Sequence, residues 1–494
     1  MYLAALLLSV PLSLCLLYLY CELKYKYWRK RNVPSPKPTL LFGNILRSLL
    51  MKIHLGDLWT EIYKQYKDAK FVGCYIFTKP AIMIRDPDLI KTILTSDFNH
   101  FLQNEMEIDK KVDPIRGRCP FAQYGDAWKD ERKRLSTNYS LTRIRANYPI
   151  IKASGENVTK YIEKQRLAGQ TLNAYELAIR YTIDLVLPYG LGINAKAFEN
   201  DNDEFLKIAR GGRDSNSYIS GLSGLLIQVA STFTNAFKIK KYDDHTINFY
   251  STFVSDLVKY RKQNNIVRND FLTSLCEFTK TDENFHDIDV MAQIAGFFDD
   301  AVGNTSLVKS FMLHELATHP HVQNKLREEI RAAKKDGEIS YDELNKMKYL
   351  DAVINETIRL HNPDPQLMKR CTKQYELPGN LIVEPGTTII IPINAIHRDD
   401  AYYDEPLKFN PERWLDEHEP RNPNAFLPFG LGPRKCIGMP LALIQFKVYL
   451  CSILENYHLE VVANEACDVK QMKTDPKVLY RCPHAPVILN AIKV

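Results

Sequence analysis

The sequence predicts one large, mainly α-helical domain with small β-sheets, carried behind a single N-terminal transmembrane helix. Three observations carry that expectation: an uncharged apolar run over residues 1–21, helical hydrophobic periodicity through most of the chain, and two short stretches rich in β-branched and aromatic residues. In 494 residues no stretch reads as a flexible linker between two cores, so a single domain is expected over 39–494. Hydrophobic residues make up 45% of the chain, which is enough apolar surface to exclude disorder for most of it.

Residues 1–21 are mostly leucine, with tyrosines towards the far end, and are long enough to cross a hydrocarbon core as a helix. Pro11 interrupts the run, which a membrane helix tolerates. A cleaved signal peptide would carry its basic residues ahead of the apolar run; here Lys24, Lys26, Arg29, Lys30 and Arg31 follow it. That order is a stop-transfer anchor, and positive residues stay on the cytoplasmic side, so the body is expected to face the cytosol. Residues 22–38 then read as a basic, Pro-rich linker, ending in the stiff run Pro34-Ser35-Pro36-Lys37-Pro38.

Further on, Phe71–Ile84 reads as a hairpin, and so does Leu381–Ile396 around Pro385-Gly386. Helical periodicity dominates between them, most clearly over Asp287–Ala317 and Val322–Ala333. The net charge of +6 is small and dispersed, which excludes the concentrated basic stripe that nucleic-acid binding needs. Ten cysteines stand far apart with no Cys-x-x-Cys pair, so nine are expected to be reduced and inert, as in a chain facing a reducing compartment.

The tenth is Cys436, in Phe429-Gly430-Leu431-Gly432-Pro433-Arg434-Lys435-Cys436-Ile437-Gly438, ahead of an apolar helical run from Leu441. A thiolate that ligates iron has to be held at one point as an anion; a Gly-rich loop entering a helix N-terminus offers it N–H groups and a favourable dipole. Phe429 is placed to cover the sulfur, and Arg434 to pair with a carboxylate through its planar fork. A turn before a buried helix with a packed cysteine is the plainer alternative, but it does not account for F-G-x-G-x-R-x-C-x-G.

This segment resembles the cysteine loop of the cytochrome P-450 superfamily, and the resemblance extends over the chain after the anchor. Trp128 and Arg132, four apart on one helix face, match the family's pair that reaches the haem propionates. Glu356-Thr357-Ile358-Arg359 and Pro411-Glu412-Arg413-Trp414 match the family's buried ion network. A second Glu-x-x-Arg, at Glu131 and Arg134, is expected to lie on a solvated helix face. His397 stands where the family often has a propionate-binding polar residue, with an ordinary core or surface histidine as the alternative. The loop Arg116–Tyr124 matches the one that roofs the family's substrate pocket. Within the long helix, counting back from Glu315-Leu316-Ala317, the family's acid–alcohol pair falls on Gly303 and Asn304. Thr305 could take over only through a one-residue slip, which needs a local bulge. Asp300, one turn before Asn304, is then expected to point into the distal pocket as a desolvated proton source, the alternatives being a cation-binding group or an acid tolerated in a wet groove.

The resemblance implies haem b with Cys436 as its axial ligand, and mono-oxygenation of a small hydrophobic substrate. It also implies NADPH–cytochrome P-450 reductase as electron donor, cytochrome b5 as a second donor, and the endoplasmic reticulum membrane as location. Lys129, Arg132, Lys133, Arg134 and Lys435 are the candidate docking residues for an acidic donor. Arg370-Cys371-Thr372, Leu377-Pro378-Gly379 and Ala395-Ile396-His397 look most like the microsomal animal enzymes, insect ones in particular. Two other readings stay open at this point: an isomerase or dehydratase of a peroxide-containing substrate, some of which carry Asn at the position of Asn304, and a haem-binding protein without turnover.

Overall fold

The computed structural model describes residues 2–214, 217–415, 422–462, 474–478, 480–483 and 485–494, with side chains from Pro11 onward except at 212–214. Helix α1 (Tyr2–Lys30) opens the chain. Among the described residues no helix is long and apolar enough to cross a membrane. The expected span over residues 1–21 falls in part on residues 1–10, whose side chains lie outside the described residues.

Rather than ending where the charges begin, α1 runs on through Lys24, Lys26 and Arg29 and docks on the body. Trp28 is fully buried and donates its indole N–H to the carbonyl of Cys74 at 2.8 Å. The slot exists because residue 73 is glycine: a Cβ there would lie 2.4 Å from Trp28 Cγ. Tyr75 adds a hydroxyl bond to the carbonyl of Tyr25 at 2.9 Å. The expected spacer is therefore extended only from Val33 onward.

Phe71–Ile84 forms the expected hairpin, β1 (Phe71–Ile76) and β2 (Lys79–Ile84). It joins a five-stranded sheet with the order β1-β2-β8-β5-β3, where β3 is Gln103–Asn104, β5 is Leu367–Arg370 and β8 is Thr388–Ile391. Leu381–Ile396 does not form a hairpin. Its first half is β7 (Leu381–Val383), paired with β6 (Tyr375–Leu377), while its second half is β8, parallel to β2 and antiparallel to β5. The β-branched run Thr388-Ile389-Ile390-Ile391 is buried along its length, as suits a central strand, and the shorter β7 has no such demand. A third sheet sets β10 (Ile488–Lys493) between β4 (Leu172–Asn173) and β9 (Tyr457–Val461).

Helices form the main core. Seven matter for the site: α2 (Gly125–Ser136), α3 (Tyr148–Leu167), α4 (Ala174–Leu191), α5 (Asp287–Thr318), α6 (Pro320–Ala333), α7 (Lys348–Leu360) and α8 (Met439–Leu454). The 32-residue α5 passes through the centre and is buried almost all round from Leu307 to Ala317, with its neighbour α4 buried almost throughout. Such a helix has no polar face to place in water. Several of its buried polar groups are hydrogen-bonded within the core instead. Lys309, fully buried, donates to Thr182 Oγ1 at 2.8 Å, Thr305 Oγ1 at 3.0 Å and Gln445 Oε1 at 2.7 Å, so its ammonium ties α5 to α4 and α8.

The matched ion network is buried and centred on Glu356. Glu356 receives Arg359 through two bonds of 2.8 Å, Arg413 Nε at 3.0 Å, Trp414 Nε1 at 2.9 Å and the N–H of Asn410 at 2.9 Å. Arg359 guanidinium lowers the Glu356 carboxyl against the opposing effect of burial. The second Glu-x-x-Arg is not solvated as expected: Glu131 is buried, and Arg134 bonds both to it and to Asp282, so the pair is a packing contact of α2. Removing one member of a buried network leaves the others uncompensated. Arg359→Ala is expected to cost about 3–5 kcal/mol, seen as a large drop in the thermal unfolding midpoint, whereas Lys129→Ala on the exposed side of α2 leaves the midpoint within about 1 °C of the parent.

Candidate active site

The cysteine loop is held by backbone before any ligand is considered. Cys436 donates its N–H to the carbonyl of Phe429 at 2.9 Å, and Lys435 to that of Gly432 at 3.0 Å. Gly432 has φ +69°, and a Cβ there would meet the carbonyl oxygen of Leu94 at 1.8 Å, so only glycine lets the loop close against the preceding body. Gly438 caps α8 two residues after the cysteine. Cys436 is exposed, and what it faces is the interior: its sulfur helps line a cavity of about 390 Å³ enclosed by α5, α8, α2, the 104–121 segment and the 362–369 turn.

Burial pushes the Cys436 thiol up, and the Gly438 N–H only partly opposes this. The N–H at the helix terminus thus acts in the expected direction, and a bound iron would further favour the thiolate, because a metal's charge promotes loss of the proton from a ligating thiol.

The cationic side chains at this end lack acidic partners. Arg434 donates to three backbone carbonyls, Leu102 at 2.8 Å, Pro120 at 3.3 Å and Gln123 at 2.7 Å, and lies over the ring of Trp128 at 4.2 Å. Burial lowers it to about 10. Arg132 donates to the carbonyl of Lys435 at 2.7 Å. Lys369, which sequence reasoning missed, donates to Asn104 Oδ1 at 2.7 Å and is pushed down to about 7 by burial and then by Arg434. Three cationic side chains at one end of the cavity, Lys369 buried and Arg132 and Arg434 half-buried, have no carboxylate partner among the described residues, which is the environment a dianionic group completes. The residues present fit haem: Cys436 would hold the iron and Arg132, Arg434 and Lys369 would receive its carboxylates, with Phe429 and Trp128 in the same lining.

His397 does not belong to this set. It is fully buried away from the cavity, where Nε2 accepts the N–H of Leu427 at 2.9 Å and its carbonyl accepts Arg359 at 2.6 Å. Burial and then Arg359 lower it to about 3, so it is a neutral acceptor, not a propionate partner.

Opposite the cysteine, α5 presents Asp300, Ala301, Asn304 and Thr305 to the cavity. The helix is regular throughout, with no bulge to bring Thr305 into register. Thr305 instead donates to the carbonyl of Ala301 at 2.7 Å and accepts from Lys309, which commits its hydroxyl. Asn304 bonds only weakly, from Nδ2 to the carbonyl of Asp300 at 3.4 Å, and its Oδ1 is buried without a partner. Gly303 leaves room for the Tyr480 ring, 3.2 Å from where its Cβ would be. Asp300 does reach the cavity, but paired with Arg116 at 3.1 Å and with 48% of its side chain exposed there.

The roofing loop contributes Arg116, Cys119, Pro120 and Phe121 to the wall. Asp364 is the other residue that the sequence did not single out. It sits in Asn362-Pro363-Asp364-Pro365 after α7, lines the cavity, and is raised to about 6 by burial and then by Asp300, with Arg116 opposing. A carboxyl raised above its unfolded value contributes stability below pH ~4, and that contribution is lost as pH rises through about 6. Asp364→Asn is accordingly expected to raise the unfolding midpoint of the haem-loaded protein at pH 8 and to change it little at pH 4, with the difference opening between those values.

The cytochrome P-450 family description matches residues 33–483 of this chain. Among similar proteins, cytochrome P-450 6j1 of Blattella germanica is 29% identical, over 91% of this chain and 90% of its own length. The probable cytochrome P-450 6a14 of Drosophila melanogaster is 31% identical over 88% and 90% respectively. Cytochrome P-450 6B7 of Helicoverpa armigera is 28% identical over 96% of both. A match over residues 33–483, which takes in the cysteine loop that the fold assembles, establishes that the chain belongs to the cytochrome P-450 family of haem-thiolate oxidoreductases.

Proposed function

We propose that this protein is a membrane-anchored monooxygenase that inserts one oxygen atom from O2 into a small hydrophobic substrate, with electrons passed from NADPH by a reductase. The observation that carries the reading is the Cys436 sulfur opening into a largely apolar cavity beside three cations that have no acidic partner. Bound there, haem b supplies the redox and oxygen-activating chemistry.

The chain's own contribution is placement and exclusion. Cys436 would hold the iron, and its loop is closed by Gly432 and the bond to Phe429. Arg132, Lys369 and Arg434 would receive the haem carboxylates and so orient the group. Phe121, Phe297, Val308 and Ile358 make the wall that orients an apolar substrate and keeps water out. Proton delivery is the weak point: Asn304 carries an amide, which does not relay protons as an acid does, and Thr305 is committed to Lys309 and Ala301.

Electron donors are proposed to dock on the proximal face, where Lys129, Arg132 and Lys133 border a shallow surface depression with Phe98, Trp128 and Pro433. Arg134 is withdrawn from that face by Glu131 and Asp282. NADPH–cytochrome P-450 reductase is the proposed donor and cytochrome b5 the second, both acidic enough to be steered by such a surface.

The test is reconstitution with the reductase. Product is expected to need both NADPH and O2, and the reduced carbon monoxide complex to show a thiolate-type Soret band that Cys436→Ala or Cys436→His abolishes. Consumption of an organic peroxide without NADPH would instead favour the isomerase reading that Asn304 keeps open.

The location proposed is the endoplasmic reticulum membrane, with residues 1–21 spanning it and the catalytic body in the cytosol. Protein expressed in cells is expected to resist carbonate extraction, and its body to be digested by protease added outside intact microsomes. Protection of the body would reverse the topology.

A further inference from the structure

The cavity is electrically divided. At the cysteine end stand Arg132, Lys369 and Arg434, and on the far wall stand Asp300 and Asp364. Of the remaining charges in the lining, Glu105 is spent on Arg370 at 3.2 Å and Arg116 on Asp300 at 3.1 Å. Asp364 is left over. Its backbone N–H bonds to Asn362 Oδ1 at 3.0 Å, but its carboxyl has no hydrogen-bond or ion-pair partner among the described residues.

Three observations make this more than two acids in a groove. First, haem accounts for the cations at the cysteine end and for nothing on the far wall. Second, the unpartnered Asp364 carboxyl is pushed up by burial and then by the nearby Asp300; a cation seated beside it relieves both effects. Third, one turn along α5 from Asp300, the Asn304 Oδ1 acceptor is buried and has no donor. Beside these groups the surfaces are apolar, from Phe297 on α5 and Phe121 of the roofing loop, and the one buried donor among them without a hydrogen bond, Arg116 Nε, belongs to the guanidinium already paired with Asp300.

We propose that the substrate class is a hydrophobic organic cation, an amine carried as its ammonium, with the charge seated at Asp364 and shared by Asp300. Arg116, paired with Asp300 at 3.1 Å, holds that carboxyl at the cavity wall and offsets part of the wall's negative charge. This rests on the monooxygenase reading of the same cavity and specifies what that cavity receives.

The experiment is a spectral titration of the full-length, haem-loaded protein with octyltrimethylammonium and with 2,2-dimethyldecane, its carbon isostere. Neither can ligate iron through a lone pair, so both report on the substrate site alone. The ammonium is expected to bind roughly tenfold or more tightly than the isostere. Asp364→Asn should erase that preference while leaving affinity for the isostere within about twofold, and Asp364→Glu should restore most of it. Equal affinities in the parent protein overturn the proposal, as does a preference that survives Asp364→Asn. Octanoate binding tighter than the ammonium overturns it as well and transfers the role to Arg116. The two readings fail separately: loss of the thiolate-type carbon monoxide band or of NADPH-dependent product is a failure of the monooxygenase, whereas a missing charge preference in a protein that keeps both is a failure of the substrate class.

Discussion

Glu356 is fully buried and gathers four partners, Arg359, Arg413, Trp414 and the backbone of Asn410, so one carboxylate joins α7 to the segment that precedes the cysteine loop. The consequence reaches the iron site in two further bonds. Arg359 donates to the carbonyl of His397, and the His397 ring accepts the N–H of Leu427, two residues before Phe429. Phe429 in turn accepts the N–H of Cys436. The ion pair and the backbone that positions Cys436 are thus joined through these bonds.

The same network shows what was legible in the sequence. Glu356, Arg359, Arg413 and the Cys436 loop were readable because fixed spacings of unlike residues encode them, and so were the Phe71–Ile84 hairpin and the Asp287–Thr318 helix, where one period runs unbroken. His397 was misplaced because a histidine beside the right segment looks the same whether its ring turns to a carboxylate or to a backbone N–H. Leu381–Ile396 was read as a hairpin because two β-rich runs flank Pro-Gly; that each run belongs to a different sheet is decided by β2 and β6, which are remote in sequence. Asp364 was invisible for a related reason. Nothing local marks an acid between two prolines as facing a cavity, and only the return of the chain from α7 past α5 puts it there.

Lys309 illustrates a further limit. In sequence it is a lone charge in an apolar helix. In the fold its three donors meet three neutral oxygens, with Tyr181 5.0 Å and Phe446 5.5 Å from the nitrogen, while burial acts to lower it well below the ordinary lysine range. Both threonine oxygens spend their own hydrogens on carbonyls, Thr305 on Ala301 and Thr182 on Ala178, which leaves them free to accept. An acceptor count of three suits the ammonium form better than a neutral amine with one lone pair. The departure at Asn304 and the committed Thr305 are thus parts of one rearrangement of α5, centred five residues after Asn304.

The docking of α1 has a mechanical side. A 29-residue helix is about 44 Å long, and Trp28, seated over Gly73, clamps one end of it to the sheet. A body hung from a flexible tether would tumble freely about its attachment point. Here the helix acts as a lever whose short arm is fixed, so whatever grips its far end also sets the attitude of the body, and with it the direction in which the cavity mouth opens.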